Sequence, residues 1–406
     1  MANPKLRFMR EDGSSYPPLQ QVPFGEVIRP FTEKTKMENE DVLLSCAIEG
    51  VFLNSELFGH QRGSSNKGYK KIKRNTLILS AQNLHLGNAN VNQRFDHGII
   101  SPAYNTYDIV GCNPDYMAHW VKREATKKFF YDATTTGASQ CRRNVDWNAL
   151  FEQKIYLPCD DEQKKIADFL SSVDIVIKSS EEEVRNLHKQ KKAVMKLLFS
   201  QELRFKKPNG SEFPDWEMKQ LKDFAKRVMR KNKGNACKLP LTISAEYGLI
   251  DQSEFFNKIV ASKDMSTYYL LKKGEFAFNK STSKDYPVGA IKRLDRYDEG
   301  AVSPLYICFE LYGNTVLTEF AVQYFETDSW HQAVLDIAQE GARTHGLLNI
   351  SVPGFFETEH ELPSDIEEQR LIADFLSDFD EAITAAKKEL ELWKELKKGL
   401  LQQMFV

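Results

Sequence analysis

Two stretches of this chain carry apolar residues at spacings that alternate between four and three. They cover residues 166–198 and 372–404. This spacing keeps the apolar side chains on one side of a helix, as in the seam of a coiled coil. Pro158 and Pro363 precede the stretches, and the acidic residues that follow each proline favour a helix N-terminus. The pattern predicts two long helices, each about 38 residues and roughly 57 Å in length.

Both predicted helices carry a lysine, Lys191 or Lys397, at the same point of the apolar seam. The shared exception and the matched register favour pairing of the two helices with each other in antiparallel orientation. The alternative is that each amphipathic helix packs on its own domain, because periodicity alone does not identify a partner. The predicted helix-pairing residues are Ile166, Leu170, Val173, Ile177, Val184, Leu187, Ile372, Leu376, Phe379, Ile383, Leu390 and Trp393.

The helices belong to a duplication with a period of roughly 200 residues, far too long for a solenoid. LPCDDEQKKIADFLSSVD (157–174) recurs as LPSDIEEQRLIADFLSDFD (362–380). LRFMREDGSSYPP (6–18) recurs in the same way as LRFKKPNGSEFPD (203–215). Weaker echoes between these motifs include SELF against SEFF and GIISPAY against GAVSPLY. The chain therefore contains two similar halves.

The segments before the helices mix short β-branched or aromatic runs with turn residues. Strands are expected at 75–81, 98–101, near 110, 275–279, 306–311 and 316–320, and helices at 116–130 and 320–339. The predicted fold class is α/β, with two mixed α/β domains separated by two long antiparallel coiled-coil helices in a pseudo-twofold repeat. The predicted segments are domains 1–156 and 208–360 and helical segments 157–207 and 361–406.

Composition narrows the class of protein. The 406 residues include 55 Lys+Arg, 57 Asp+Glu and six cysteines, with a formal net charge of −2. The cysteines lie far apart without a CxxC pair, which favours reduced thiols. The sequence contains no long apolar run and begins without an apolar leader, so we expect a cytoplasmic protein. Near-neutral charge taken alone argues against nucleic acid as a partner.

The distribution of charge changes that picture, because basic residues cluster within each domain beside Gly, Asn and aromatic residues. Such clusters suit contact with DNA phosphates and, in loops, with base edges. The alternative for any one cluster is an ordinary solvated surface. The predicted phosphate contacts are Lys67, Lys70, Lys71, Lys73, Arg74, Lys231 and Lys233. The candidates for closer readout are Arg142, Arg143, Lys280, Lys284, Arg343 and His345.

Enzyme motifs are incomplete in this sequence. Asn113-Pro114-Asp115-Tyr116 resembles the loop with which amino-methyltransferases hold a base, but Asp115 breaks it, and we interpret it as a helix-initiating turn. Gly63 and Gly68 have the spacing of a phosphate-binding loop without the Lys-Ser/Thr that must follow. A PD…ExK pattern lacks structural context, and the histidines lack metal-ligand spacing. We therefore expect no catalytic centre and no metal site in this chain.

Two variable α/β segments, each followed by an LP-x-D-x-EQ…IADFL motif and a heptad helix, resemble the specificity subunit of type I restriction–modification enzymes. The resemblance extends over essentially the whole chain, although Tyr16-Pro17-Pro18 departs from Phe213-Pro214-Asp215 of the second copy. It implies that each domain reads one half of a split DNA sequence and that the helices set the unread spacer.

The resemblance also implies partners. Double-stranded DNA, methyltransferase subunits and restriction subunits are the expected partners, with S-adenosylmethionine, ATP and Mg²⁺ in those subunits and no cofactor in this chain. Two other functions stay open at this stage: a methyltransferase or nuclease that acts alone, and a coiled-coil scaffold without DNA affinity. The sequence does not identify the bases read, the spacer length or the oligomeric state.

Overall fold

The computed structural model describes residues 4–58, 65–139, 142–244, 247–256, 261–283, 286–338 and 346–406, with side chains in these ranges except at 136–139 and 142. The chain divides into two compact units. Unit 1 contains residues 1–183 and 386–406, and unit 2 contains residues 184–385. Each long helix therefore has part of its length in each unit.

The elements of the first half, in chain order, are strands β1 (Gln20–Pro23), β2 (Ile28–Pro30), β3 (Glu33–Lys34), β4 (Leu44–Cys46) and β5 (Val51–Leu53), helix α1 (Asn54–Phe58), strands β6 (Lys70–Lys73), β7 (Leu77–Ser80), β8 (Ala89–Val91), β9 (His97–Ile100) and β10 (Tyr104–Ile109), helices α2 (Pro114–Trp120) and α3 (Glu124–Asp132), strands β11 (Thr134–Ser139) and β12 (Arg142–Val145), helix α4 (Trp147–Glu152), strand β13 (Lys154–Leu157) and the long helix α5 (Asp160–Phe199).

The second half continues with strand β14 (Glu217–Gln220), helix α6 (Leu221–Phe224), strands β15 (Ala225–Arg227), β16 (Leu241–Ser244) and β17 (Gly248–Asp251), helix α7 (Gln252–Phe256), strands β18 (Tyr269–Lys272), β19 (Phe276–Asn279), β20 (Ala290–Arg293), β21 (Glu299–Val302) and β22 (Ile307–Leu311), helices α8 (Thr318–Phe325), α9 (His331–Ile337) and α10 (Val352–Phe356), strand β23 (Glu359–Leu362) and the long helix α11 (Ile366–Gln403).

Most of the strand pairings described in unit 1 recur in unit 2. Unit 1 contains a four-stranded antiparallel sheet in the order β2-β10-β7-β8, and unit 2 contains β15-β22-β19-β20. The hairpin β4-β5 corresponds to β16-β17, the pair β6-β9 to β18-β21, and the pair β1-β13 to β14-β23. Both halves are mixed α/β, as the sequence predicts.

A glycine at the same register position in both units has a packing reason. Gly98 on β9 and Gly300 on β21 begin the repeated GIISPAY and GAVSPLY motifs. A Cβ atom at Gly98 would overlap the side chain of Leu44, and one at Gly300 would overlap Leu241. Both leucines are about 1% exposed, so the missing Cβ lets each leucine close the core beneath its strand.

Two repeated motifs far apart in sequence meet in each unit. In unit 1, Nε of Arg7 donates to Glu162 Oε1 (2.7 Å), and in unit 2 Arg204 and Glu368 make the same contact (2.9 Å). These residues come from the LRF and EQ motifs. Both carboxylates are fully buried, which explains why each is paired with a bidentate guanidinium.

The glutamine that follows each of these glutamates joins the long helix to the domain. Gln163 Oε1 accepts a hydrogen bond from the backbone N–H of Asn113 (2.8 Å), immediately before α2. Gln369 Oε1 accepts from the N–H of Leu317 (2.8 Å), immediately before α8. The EQ motif therefore carries its repeated residues because it anchors a long helix on its domain in both units.

The long helices pair in antiparallel orientation. In unit 1, Lys397 on α11 contacts Asp174 on α5, and Lys394 contacts Glu181 (3.2 Å), so residues advance in opposite directions. In unit 2, Met195 and Leu198 of α5 share a core cluster with three residues near the start of α11: Ile372, Ala373 and Leu376. The predicted helix-pairing residues are all buried or half-buried in these segments.

Several secondary-structure predictions need correction. Residues 316–320 were expected as a strand, but helix α8 begins at Thr318. The hydrogen bond from the N–H of Leu317 to Gln369 fixes the start of this helix, and it outweighs the weak β-propensity of the segment. Strand β10 ends at Ile109, before the strand expected near 110. The helix expected at 116–130 is broken into α2 and α3, and that at 320–339 into α8 and α9, with residue 339 outside the described residues. Asn113 caps α2 through its side chain, which confirms the helix-initiating turn.

Among the described residues, no helix combines the length and the apolar character needed to cross a membrane.

Candidate nucleic-acid interface

The basic run 67–74 of unit 1 covers a turn and the strand β6 that comes after it. Lys67 is exposed in the turn. Lys70 is buried, and its Nζ donates a hydrogen bond to the carbonyl oxygen of Tyr104 (2.5 Å). Burial lowers the pKa of Lys70. Lys70 was predicted to contact phosphate, but the alternation of strand β6 turns this side chain inward, where it joins β6 to β10.

Neighbouring cations of the same run already have acidic partners. Lys71 lies 2.8 Å from Glu40 and 2.9 Å from Glu33, and these contacts raise the pKa of its ammonium group. The same contact with Lys71 lowers the pKa of Glu40 to about 2. Two further pairs, each at 2.9 Å, are Lys73–Asp108 and Arg74–Asp96. The charges of Lys71, Lys73 and Arg74 are therefore already compensated by carboxylates within unit 1.

The corresponding strand of unit 2, β18, carries different side chains. Strand β18 begins at Tyr269, the counterpart of Lys70 by strand register. Lys231 lies over the ring of Tyr269, with Nζ 3.7 Å from the centroid, and donates to the carbonyl oxygen of Thr267 (2.8 Å). Lys233 is exposed in the following turn. Strands β6 and β18 thus share the same pairing register and differ in their side chains.

Arg143 lies on the hairpin β11-β12 of unit 1. Its guanidinium is 4.0 Å from the ring centroid of Tyr131 and donates to the hydroxyl and the carbonyl oxygen of Thr134 (2.6 and 2.8 Å). Stacking and hydrogen bonds hold this cation in one orientation. The backbone of Arg142 belongs to β12, but its side chain lies outside the described residues.

One readout candidate of unit 2, Lys280, lies where the segment after β19 meets the segment before α10. Lys280, half-buried, accepts a backbone hydrogen bond from Leu348 (3.0 Å), and Ser281 bridges Leu347. A cleft of about 500 Å³ lies beside this junction, lined in part by Thr282, Ser283 and His331. Three other candidates, Lys284, Arg343 and His345, lie outside the described residues.

A further pair of exposed cations was not among the predicted contacts. Arg94 pairs with Glu56 (2.7 Å), and at the equivalent place in unit 2 Arg296 pairs with Glu254 (3.4 Å). Each arginine begins an Arg-aromatic-Asp tripeptide, Arg94-Phe95-Asp96 or Arg296-Tyr297-Asp298. This repeat of three residues was the signal by which the sequence comparison could have found them.

The candidate reactive groups among the described residues are metal-binding side chains and cysteine thiols. No group of three or more His, Cys, Asp and Glu side chains there is arranged to hold a metal ion. Burial raises the pKa of the thiols of Cys46, Cys112 and Cys308 to about 12, so all three stay protonated at neutral pH.

Comparison with known proteins gives three matches. A putative type I restriction enzyme MjaX specificity subunit from Methanocaldococcus jannaschii is 32% identical over 236 residues, which cover 52% of this chain and 51% of that protein. The chain thus matches about half the length of this curated relative. The crystal structure of a type I restriction–modification S subunit from M. genitalium matches with a TM-score of 0.54 and 14% identity, over 100% of this chain and 99% of the other.

These matches support the resemblance. Over about half of its length the chain is similar in sequence to a type I restriction specificity subunit, and the whole chain has the fold of a solved S subunit. A chain from a structure on complex assembly and conformational transition of the type I restriction–modification system also matches, with a TM-score of 0.51 and 15% identity over 96% of this chain and 98% of the other. No family model matches the sequence. The specificity-subunit resemblance first indicated by the repeated motifs is thereby confirmed.

Proposed function

We propose that this chain is the DNA-binding specificity subunit of a type I restriction–modification complex. The observation that carries the proposal is the duplication: the two units share the order and register of most of their strands, and the side chains on the equivalent strands β6 and β18 differ. Two domains with one backbone and different surface residues are suited to reading two different half-sites.

In this proposal the paired helices set the unread spacer. Half-sites on one face of DNA are about 34–36 Å apart per helical turn. Helix α5, with 40 residues, is about 60 Å long and is long enough to extend across such a gap. The antiparallel contacts within each unit would support this role, because they pair the two long helices with each other.

The chemistry would belong to other subunits. Methyltransferase subunits with S-adenosylmethionine, and restriction subunits with ATP and Mg²⁺, are the proposed partners, and this chain would supply recognition without catalysis. Exposed cations such as Lys67 and Lys233 would contact phosphates, while Arg143 and the loops around Lys280 would reach base edges.

The proposal is tested by producing the chain with its methyltransferase subunits in a host without other methyltransferases and sequencing the methylated bases. We expect one asymmetric site in two halves with a fixed spacer. A continuous site, or methylation that does not require this chain, would contradict the proposal. Methylation or DNA cleavage by the purified chain alone with cofactors would favour an enzyme, and no mobility shift of DNA by the assembled complex would favour a scaffold.

The spacer role has its own experiment. One heptad inserted after Ser179, with a matching heptad after Glu391 on the facing helix, lengthens the pair by about 10.5 Å. At about 3.4 Å per base pair the spacer should grow by about three base pairs while both half-sites stay the same. An unchanged spacer would contradict this role.

A further inference from the structure

The two lysines that interrupt the apolar seam have equivalent acidic partners. In unit 2, Nζ of Lys191 on α5 lies 2.6 Å from Asp380 on α11. In unit 1, Lys397 on α11 makes the same contact with Asp174 on α5. Both aspartates are the last residues of the repeated segments 157–174 and 362–380, four residues after the IADFL motif, so this segment and the seam lysine form one duplicated arrangement.

Each aspartate is also near a helix of the α/β domain. Asp380 accepts a hydrogen bond from Nε2 of Gln323 on α8 (2.9 Å). Asp174 Oδ2 lies 3.8 Å from Nδ1 of His119 on α2, and the other nitrogen of this histidine contacts Ser171 on α5 (3.2 Å). Gln323 and His119 are both buried. One carboxylate therefore lies where three elements meet: α5, α11 and a domain helix.

We propose that Asp174 and Asp380 are positioning residues for site recognition. Each aspartate fixes the register of the two paired helices, and each also fixes the position of the adjacent α/β domain on those helices. This inference rests on the proposed function and deepens it. The contacts also explain why a lysine is present in both copies of the seam.

The physical reason is the position of the lysines. The side chain of Lys191 is only 12% exposed, so a charge there needs a partner. If one helix slides by a heptad, Ala373 or Lys387 takes the place of Asp380 opposite Lys191, and the lysine loses its carboxylate. Other registers are thereby disfavoured, as with single buried polar residues in coiled coils. An all-apolar seam would pair tightly but in several registers.

The test uses the full chain with its methyltransferase subunits and sequencing of methylated bases. Lys191→Met makes the seam apolar at this position and removes the cation that pairs with Asp380, while the hydrogen bond from Gln323 remains. We expect methylation at the parental spacer to fall roughly tenfold, with sites of other spacer lengths appearing and both half-sites unchanged. Exchange of the two charges, Lys191→Asp with Asp380→Lys, should restore the parental spacer to within about twofold. The matched control is Lys394→Met, which removes the more exposed pair with Glu181 and should leave the spacer unchanged.

A Lys191→Met chain that methylates the same spacer as fully as Lys394→Met overturns the inference. The inference is also overturned if the charge exchange restores no more methylation at the parental spacer than Lys191→Met shows. If the parent itself shows no split site, the proposed function fails, and register is then measured without DNA. Spin labels on unnatural residues at the exposed positions 189 and 378 should give one distance in the parent and several in Lys191→Met. An unchanged distance distribution overturns the inference independently.

Discussion

The guanidinium of Arg204 donates two parallel hydrogen bonds to the carboxylate of Glu368, from Nε at 2.9 Å and from Nη2 at 2.8 Å. The same Nη2 donates to the carbonyl oxygen of Pro214 (2.6 Å). Glu368 also accepts from the indole N–H of Trp216 (3.2 Å). This contact ties the start of α11 to the segment that follows α5, and Arg7 and Glu162 repeat it in unit 1.

Removal of the arginine should strongly destabilise its unit. Arg204→Met leaves the carboxylate of Glu368 buried without its cation, and we expect a loss of about 3–5 kcal/mol in the free energy of unfolding of unit 2. The measurement is the midpoint of denaturant-induced unfolding, monitored with a spectroscopic probe in unit 2.

The matched control is Arg370→Met, which breaks an exposed pair with Glu367 on the same helix. It should cost less than about 1 kcal/mol. Equal shifts of the midpoint for Arg204→Met and Arg370→Met would contradict the importance of burial.

The strand glycines should resist substitution. Gly300→Ala forces a methyl group into Leu241, and we expect a loss of about 1–3 kcal/mol in stability. The loss should shrink in the double variant Gly300→Ala with Leu241→Ala, because the shortened leucine makes room for the added methyl group. Gly399 on α11 has open space around its Cα atom, so Gly399→Ala should instead stabilise by about 0.5–1 kcal/mol. Thermal unfolding of the three variants checks these signs.

Buried histidines should make the protein sensitive to acid. Burial lowers the pKa of His360 in unit 2 to about 4, and burial, with Lys397 nearby, lowers that of His119 in unit 1. The unfolded chain takes up these protons near pH 6.5 and the folded chain only near pH 4. Stability should therefore be intact above about pH 6.5 and fall as the pH drops from 6.5 toward 4.

His119→Gln supplies the control for this pH dependence, because Gln323 occupies the equivalent position in unit 2. The variant should unfold with a weaker dependence on pH between 6.5 and 4 in unit 1, and unit 2 should be unchanged. An unaltered pH profile would mean that His119 is not the group that titrates.

Exposed lysines should contribute to DNA affinity without affecting the sequence that is read. Lys233→Met should weaken binding by the assembled complex to all DNA sequences alike and reduce the salt slope of log K by about 0.9. Lys71→Met is the comparison, since Lys71 is already paired with Glu40 and Glu33; its effect on the salt slope should be smaller. A change in the methylated sequence with Lys233→Met would contradict a phosphate contact.

The pattern of the sequence determined more of the fold than of the interface. The seam from Ile166 and from Ile372 predicted two long helices, since helix periodicity is local and needs only neighbouring residues. The repeated EQ and IADFL motifs predicted the duplication, because matched residues need no structure to be seen. The boundary between α2 and α3, by contrast, depends on tertiary packing.

Only the tertiary structure decided which charges have partners. In sequence, Lys70 and Lys71 are adjacent members of one basic run, yet Lys70 is buried against Tyr104 and Lys71 lies between two carboxylates. The partners, Tyr104 for Lys70 and Glu33 and Glu40 for Lys71, lie more than 30 residues away in sequence. The local sequence therefore does not show that Lys70 is buried or that the charge of Lys71 is compensated. The same long-range contacts explain Lys191: the sequence placed it in the seam, and the fold placed Asp380 against it.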